Sequence, residues 1–450
     1  MKKYHPLITG TLILTITGFV SRFMGFFYRI FLSQKFGEEN MGIYQLISPA
    51  MALAFAISTS GIQTAISKYV ASETTTKDYK SSLRILLAGI SISLILSLVC
   101  SYILYTYSFE IATFVMKEER LEPLLQLLSL SIPFGAIHAC INGYFYGVKE
   151  TKIPAITQLA EQSVRVFSVI LIYEYAIAHQ ETPSIALSVM GLVLGEIASL
   201  IISLFAIYFR FHSKSNVTFR QPITGYISSW SRIIPLAIPV SSTHIIITLL
   251  QSVEASNIPH RLQMSGLTTS QALSIYGVLT GMALPLVLFP CAITNSVSVL
   301  LLPTISEAES NHAYASIRRA VEKSVQYCFL LGFLSTASFF LMADFLGTFL
   351  FHSEMASVFI KTLSFICPFL YLSSTLSSIL HGLGKTLPTF FFSVISLGIR
   401  LIFVFIFIPI YGIKAYLWGI LLSQVTQTLL ISLALRYHVY YNEKRFVHNY

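Results

Sequence analysis

Four arginines and two glutamates interrupt stretches that otherwise read as apolar helix: Arg22, Arg29, Arg165, Arg400, Glu161 and Glu196. A charge at bilayer depth costs about 3 kcal/mol even on lenient insertion scales, so each must be paired, wetted by a cavity, or used. A guanidinium carries a planar fork of donors that fits phosphate oxygens two at a time. A carboxylate in the same setting can take up a proton, hold a cation, or neutralise an arginine. Glu161 and Arg165 are four residues apart with the acid first, a spacing that lets them pair along one helix face. Arg22 has no acid within a helical turn of it in sequence, which makes it the first candidate ligand for an anion. Arg29, seven residues later, returns to nearly the same face and could equally reach the outer interface. Bases at depth outnumber acids, which favours an anionic substrate over a cationic one.

The remaining reactive residue types carry less. Glu174 and Glu254 lie near the ends of apolar stretches, and Asn295, Gln424 and Gln427 add uncharged hydrogen-bonding groups. His138 and His244 read as packing residues rather than proton carriers. Cys100, Cys140, Cys291, Cys328 and Cys367 show no CxxC spacing and read as small apolar packing residues, so neither disulfides nor a metal site is expected. No resident cofactor is expected; a coupling ion, H+ or Na+, or the membrane potential would supply energy.

The elements that must position these residues are membrane helices. Of 450 residues, 54% are hydrophobic and 11% charged, far from the soluble average of about 25% charged. Stretches long enough to cross about 30 Å of hydrocarbon recur near 7–32, 41–66, 83–107, 122–147, 154–178, 185–209, 233–254, 272–302, 324–349, 357–380, 388–410 and 413–435. The expected fold is an all-α integral membrane protein of about twelve transmembrane helices. The first stretch, after Lys2 and Lys3, is too long for a secretory signal and lacks a small-residue cleavage site, so it reads as a retained helix.

A formal net charge of +9 could point to nucleic acid, but its distribution argues otherwise. With the N-terminus inside, nineteen of the 29 basic residues fall in inner segments, six in outer ones and four within the spans. That is the positive-inside pattern, with both termini in the cytoplasm, and it leaves no call for a nucleic-acid partner.

The chain is also a repeat. Ser131–Pro154, SIPFGAIHACINGYFYGVKETKIP, is echoed by ICPFLYLSSTLSSILHGLGKTLP, ending at Pro388; Pro133 pairs with Pro368, Gly147 with Gly382 and Arg165 with Arg400, each 235 residues apart. GLVLGE, ending at Glu196, matches GILLSQ, ending at Gln424, at a separation of 228. Two copies of six spans share one orientation, which predicts two six-helix lobes, over 1–209 and 233–436. A cytoplasmic linker over 210–232 and a cytoplasmic tail over 437–450 complete the chain. This parallel duplication is a transporter layout, with a substrate path between the lobes. It also removes a decoy: GLGKT at 382–386 resembles the end of a phosphate-binding loop, yet Ile379 stands where the first glycine belongs and its partner GVKET is an ordinary inner loop. The chain is therefore expected not to be an enzyme.

Several blocks in order carry a family resemblance: SRFMGFFYRI, FGEENMGIYQL, SGIQTAISKYVASE, GYFYGVKETKIPAITQLAEQSVRV and YGVLTGMALPLVLFPCAITNSVSVLLLPTISEAE. They resemble the stage V sporulation protein B group of polysaccharide flippases, in the multidrug/oligosaccharidyl-lipid/polysaccharide (MOP) exporter superfamily, which also holds the lipid II flippases. The resemblance implies a V-shaped transporter that moves an undecaprenyl-pyrophosphate-linked sugar, such as lipid II or a spore-cortex precursor, across the cytoplasmic membrane. It implies a monomer whose partners are the lipid-linked oligosaccharide, membrane lipids and wall-synthesis enzymes. In the lipid II flippases the first span carries S-R-x-x-G-x-x-R, with arginines lining the cavity. Ser21, Arg22 and Gly25 match, but the last slot is Tyr28, with Arg29 one residue late. Many members of the group have fourteen spans, where this chain shows twelve. Two other classes are weighed against this one: a cation-coupled multidrug exporter of the same superfamily, with acids in its cavity, and a non-transporting scaffold for wall synthesis.

Overall fold

The computed structural model describes residues 6–75, 79–212 and 223–447, and these residues are overwhelmingly α-helical. Lys2, Lys3, Lys77 and residues 213–222 of the expected linker lie outside the described residues, as does the end of the expected tail. Ten helices among the described residues are long and apolar enough to cross a membrane, and a bent pair, Glu119–Ser129 with Ser131–Gly147, adds an eleventh. The first of the ten, Leu12–Thr74, contains two of the expected spans. Their junction is Gly37, at φ +80, a left-handed conformation that side-chain-bearing residues resist. Each expected span thus has a helical counterpart. The chain is a multi-pass, all-α membrane protein.

Helices are numbered here as α1 Pro6–Phe55, α2 Gly61–Thr75, α3 Tyr79–Thr106, α4 Glu122–Ser129, α5 Ser131–Gly147, α6 Lys152–Ala178, α7 Ala186–His212 and α8 Ile223–Met264. They continue as α9 Thr269–Gly277, α10 Cys291–Ser310, α11 Tyr314–Phe345, α12 Glu354–Leu363, α13 Cys367–Gly382, α14 Thr386–Ile402 and α15 Ile413–Val447. The expected tail is therefore helical as far as Val447.

The chain forms two compact units. The first gathers the chain up to Tyr28 and Ile43–Ser256; the second gathers Arg29–Gly42 and the chain from Asn257 onward. The unit boundary differs from the expected lobe boundary, because α8 packs with the first unit as far as Ser256. Small residues permit that packing: a Cβ on Gly61 would lie 2.2 Å from the carbonyl oxygen of Ala237. The Gly61 N–H donates to Ser241 Oγ at 3.1 Å, Ser252 Oγ donates to the Pro49 carbonyl at 3.3 Å, and Arg232 pairs with Glu73 at 2.8 Å. All five cysteines are free, and four of them are buried.

The repeat is visible in backbone detail. Helix α5 closes with Val148 N–H on Tyr144 O, Lys149 N–H on Tyr146 O and Glu150 N–H on Phe145 O; α13 closes with Leu383 on Ile379, Gly384 on His381 and Lys385 on Leu380. Both turns need a left-handed residue, and it is Lys149 (φ 60) in one copy and Gly384 (φ 70) in the other. GLGKT is thus a helix stop, and the glycine that mimics a phosphate loop is there for its backbone.

Candidate functional site

The polar residues of the first unit meet where α5, α6 and α7 pack. Helix α7 approaches α6 closely because Gly191 and Gly195 lack side chains: a Cβ on Gly191 would lie 2.9 Å from the Arg165 carbonyl, and one on Gly195 would lie 2.8 Å from the Glu161 carbonyl. Glu161 and Arg165 form the ion pair their spacing allows, with side chains 21% and 17% exposed. One face of this pair meets Glu196, which is 5% exposed. His138, Glu161 and Glu196 each present a ligand atom, all within 4.8 Å of one another.

His138 has polar neighbours at both ring nitrogens. Its Nδ1 lies 3.2 Å from Ser199 Oγ and 3.7 Å from Glu196 Oε2, and its Nε2 lies 2.7 Å from Asn142 Nδ2. Thr157 Oγ1 donates to Asn142 Oδ1 at 3.4 Å, which turns the Asn142 amide N–H toward Nε2. Nε2 of His138 thus faces Asn142, and Nδ1 faces Ser199 and Glu196. The sequence signal for this arrangement is the His138/Asn142 spacing of four within one span, which puts both on one helix face.

Charge bookkeeping defines what the cluster can do. Arg165 cancels one carboxylate, and the second leaves the set one positive charge short of neutral when His138 is neutral. The group has the spacing to hold a proton or a small cation that would supply that charge. Gly135 makes room for this acid: a Cβ there would fall 2.5 Å from the Phe55 ring and 3.0 Å from Glu196 Oε2. Gly135→Leu should overpack the site at a cost of about 1–3 kcal/mol. The measurable outcome is a melting temperature several degrees lower in detergent.

In the second copy the same positions are uncharged. The counterparts of His138 and Glu196 are Ser373 and Gln424, whose Oγ and Oε1 are 3.4 Å apart. The counterpart of Glu161 is Ser396, 4% exposed, which donates to the Ser423 carbonyl at 3.3 Å. Leu370 stands at the place of Gly135. Gly419 keeps the close approach, since a Cβ on it would lie 2.7 Å from the Phe403 side chain. The two copies therefore share a helix-packing scheme, and the ionisable cluster belongs to the first alone.

Arg22 stands on α1, three residues before Gly25, and a Cβ on Gly25 would lie 3.4 Å from Gln162 Nε2. That places the Arg22 stretch of α1 beside the α6 face carrying Gln162 and Glu161. Arg22 is exposed and, among the described residues, has no hydrogen-bond or ion-pair partner. Nearby, Ser21 Oγ, Tyr28 Oη and Arg165 Nε are buried polar atoms with no acceptor or donor among the described residues. Arg29 belongs to the second unit and donates to the Thr280 carbonyl at 3.3 Å. Arg400, also in the second unit, is partly buried in the last turn of α14 and engaged with other groups. So Glu161, Arg165 and Glu196 come together, His138 joins them, Arg22 flanks them, and Arg29 and Arg400 are in the other unit.

Comparison with known proteins agrees with this architecture. A family model described as polysaccharide biosynthesis protein matches residues 7–309. The stage V sporulation protein B of Bacillus subtilis (strain 168) is 29% identical over 429 residues, covering 95% of this chain and 83% of that protein. The lipid II flippase MurJ of the same organism is 22% identical over 418 residues, covering 88% and 75%. Among solved structures, an inward-facing multidrug resistance MATE family transporter of the MOP superfamily superposes with a TM-score of 0.67 at 15% identity, covering 97% of this chain and 99% of that one. At that identity the likeness concerns the fold.

Proposed function

The chain belongs to the polysaccharide biosynthesis protein family, within the MOP exporter superfamily, and from that premise we propose that it flips an undecaprenyl-pyrophosphate-linked sugar across the cytoplasmic membrane by alternating access of two lobes. The cargo is lipid II or a related wall, spore-cortex or polysaccharide intermediate, and both termini face the cytoplasm. The observation that carries the reading is Arg22: an exposed guanidinium in a membrane helix, with no acid to neutralise it among the described residues. A pyrophosphate supplies the missing negative charge in the geometry a guanidinium prefers. Arg165, whose Nε keeps a free donor beside its ion pair, stands on the neighbouring helix as a second phosphate ligand. Arg29 and Arg400 are the corresponding candidates of the second unit.

The His138–Glu161–Glu196 cluster is the coupling element in this reading, since it takes up one positive charge as a proton or sodium ion. Glu196→Gln removes the uncompensated acid and copies Gln424 of the second unit. Transport by this variant should lose its dependence on the ion gradient while the protein stays folded. Transport that responds to pH and sodium as the native protein does would leave Glu196 a packing residue.

Reconstitution into liposomes, with labelled lipid-linked precursors and a probe of leaflet, tests the whole proposal: the native chain should equilibrate the precursor across the bilayer. The same cluster supports a second reading, export of organic cations driven by a cation gradient. Labelled cations moving in those vesicles, with no movement of lipid-linked sugar, would select it. If neither moves, and a bulky cavity-blocking substitution leaves cells unaffected, the chain is a scaffold for wall-synthesis enzymes.

A further inference from the structure

A groove in the second unit has no part in the site described above. It lies among α11, α12, the start of α13 and the first turns of α15, with a volume of about 820 Å³. Its walls are aromatic and aliphatic, among them Phe333, Phe340, Phe365, Phe369, Leu417 and Trp418. Two lysines are the charged residues of its lining, Lys361 and Lys414. Both are exposed, and among the described residues neither has an acidic partner. Lys361 Nζ sits 4.9 Å from the centre of the Phe340 ring, which holds the ammonium at the groove.

Lys414 is in the first turn of α15, and Lys361 is on α12, before the break at Ser364–Ile366. The apolar lining runs on from there to Phe369 on α13 and Leu421 on α15. The repeat again gives an internal comparison: at the same separations of 235 and 228, Gln126 and Ala186 replace Lys361 and Lys414 in the first copy. Both bases therefore belong to this groove and not to the shared helix scaffold.

We propose that the groove holds one anionic phospholipid of the surrounding bilayer, with an acyl chain along the aromatic walls and its phosphate on Lys361 and Lys414. Charge complementarity selects this occupant. A soluble anion has nothing to place against the phenylalanines and Trp418, and a neutral lipid leaves two ammonium groups unpaired. A zwitterionic headgroup brings its own cation to a place that already holds two. The loop-charge count puts Lys361 and Lys414 on the outer side, so the lipid comes from the outer leaflet.

The test is lipid retention by the purified full chain in detergent, read by native mass spectrometry. Equal amounts of phosphatidylglycerol and phosphatidylcholine with identical acyl chains are added. The native chain should retain one phosphatidylglycerol in preference to phosphatidylcholine. Lys361→Gln with Lys414→Gln should weaken that retention roughly tenfold or more, at about 1 kcal/mol per base near a membrane surface. Thr362→Trp, which fills the groove, should remove it while both lysines stay. Lys149→Gln with Lys152→Gln should change nothing. Equal retention of the two lipids by the native chain, or undiminished phosphatidylglycerol on the double variant, would overturn the site. Preferential retention of added undecaprenyl phosphate over phosphatidylglycerol would overturn the choice of occupant. The readout is binding alone, so the result is independent of what the chain transports.

Discussion

Arg22→Ala is expected to reduce flipping of a lipid-linked sugar at least about tenfold while leaving membrane abundance and melting temperature near those of the native chain. The two halves of that expectation have different causes. Arg22 is exposed and makes no hydrogen bond or ion pair among the described residues, so its removal breaks no contact that holds the fold. Hydrogen bonds to charged groups contribute about 1.5–3 kcal/mol each, so loss of a two-pronged phosphate contact exceeds a factor of ten if the contact forms during transport. Arg22→Lys should recover part of the activity, because lysine restores the charge without the fork. Vesicle assays with labelled precursor measure the first effect and thermal unfolding in detergent the second. Native transport by the alanine variant would remove Arg22 from the site, and lost abundance would make its role structural.

The second large effect is expected at the ion pair. Arg165→Leu alone should lower stability by about 3–5 kcal/mol, because it leaves Glu161 uncompensated beside Glu196 in a mostly buried setting; Glu161→Gln should cost less, because Glu196 remains to offset Arg165. The swap, Glu161→Arg with Arg165→Glu, keeps both charges and should restore most of the abundance. Transport should stay impaired. Arg165 has a counterpart in Arg400, whereas Glu161 is matched by Ser396, so a base occurs in both copies and its acid in one. The environment adds a reason: the swap moves the acid one helical turn away from position 161, where its ligand atom lies within 4.8 Å of those of Glu196 and His138. Thermal unfolding and labelled-precursor transport, measured on the same four proteins, separate the structural from the functional share. Full recovery of transport by the swapped protein would make the pair purely structural.

These expectations depend on features that were legible to different degrees. The membrane class, the helices and the duplication could be read from hydropathy and from residue identities at a constant separation. The ion pair could be read too, because its partners are on one helix and a spacing of four fixes their geometry. The Glu196–Glu161 meeting could not be, because it depends on how closely α7 approaches α6. That approach is set by Gly191 and Gly195, whose roles show only when the carbonyls of Arg165 and Glu161 are seen against them. The neighbours of His138 could not be read for the same reason. A lone histidine in an apolar helix is ordinary as a sequence feature, and its partners Ser199 and Glu196 are 61 and 58 residues away.

The sequence by itself determined the solvent, the secondary structure and the internal repeat, since each follows from local periodicity, chain length against bilayer thickness, and comparison of the chain with itself. It also determined which residues were too polar for their surroundings. Only the tertiary structure decided which of these residues meet, because contacts between helices depend on packing depth, and packing depth depends on where side chains are missing. Glu161, Glu196 and His138 became one cluster through Gly135, Gly191 and Gly195, three residues with no side chain at all. The same dependence placed Ser373, Ser396 and Gln424 in a neutral version of that packing in the second copy, so one fold repeated twice carries the two acids and the histidine once.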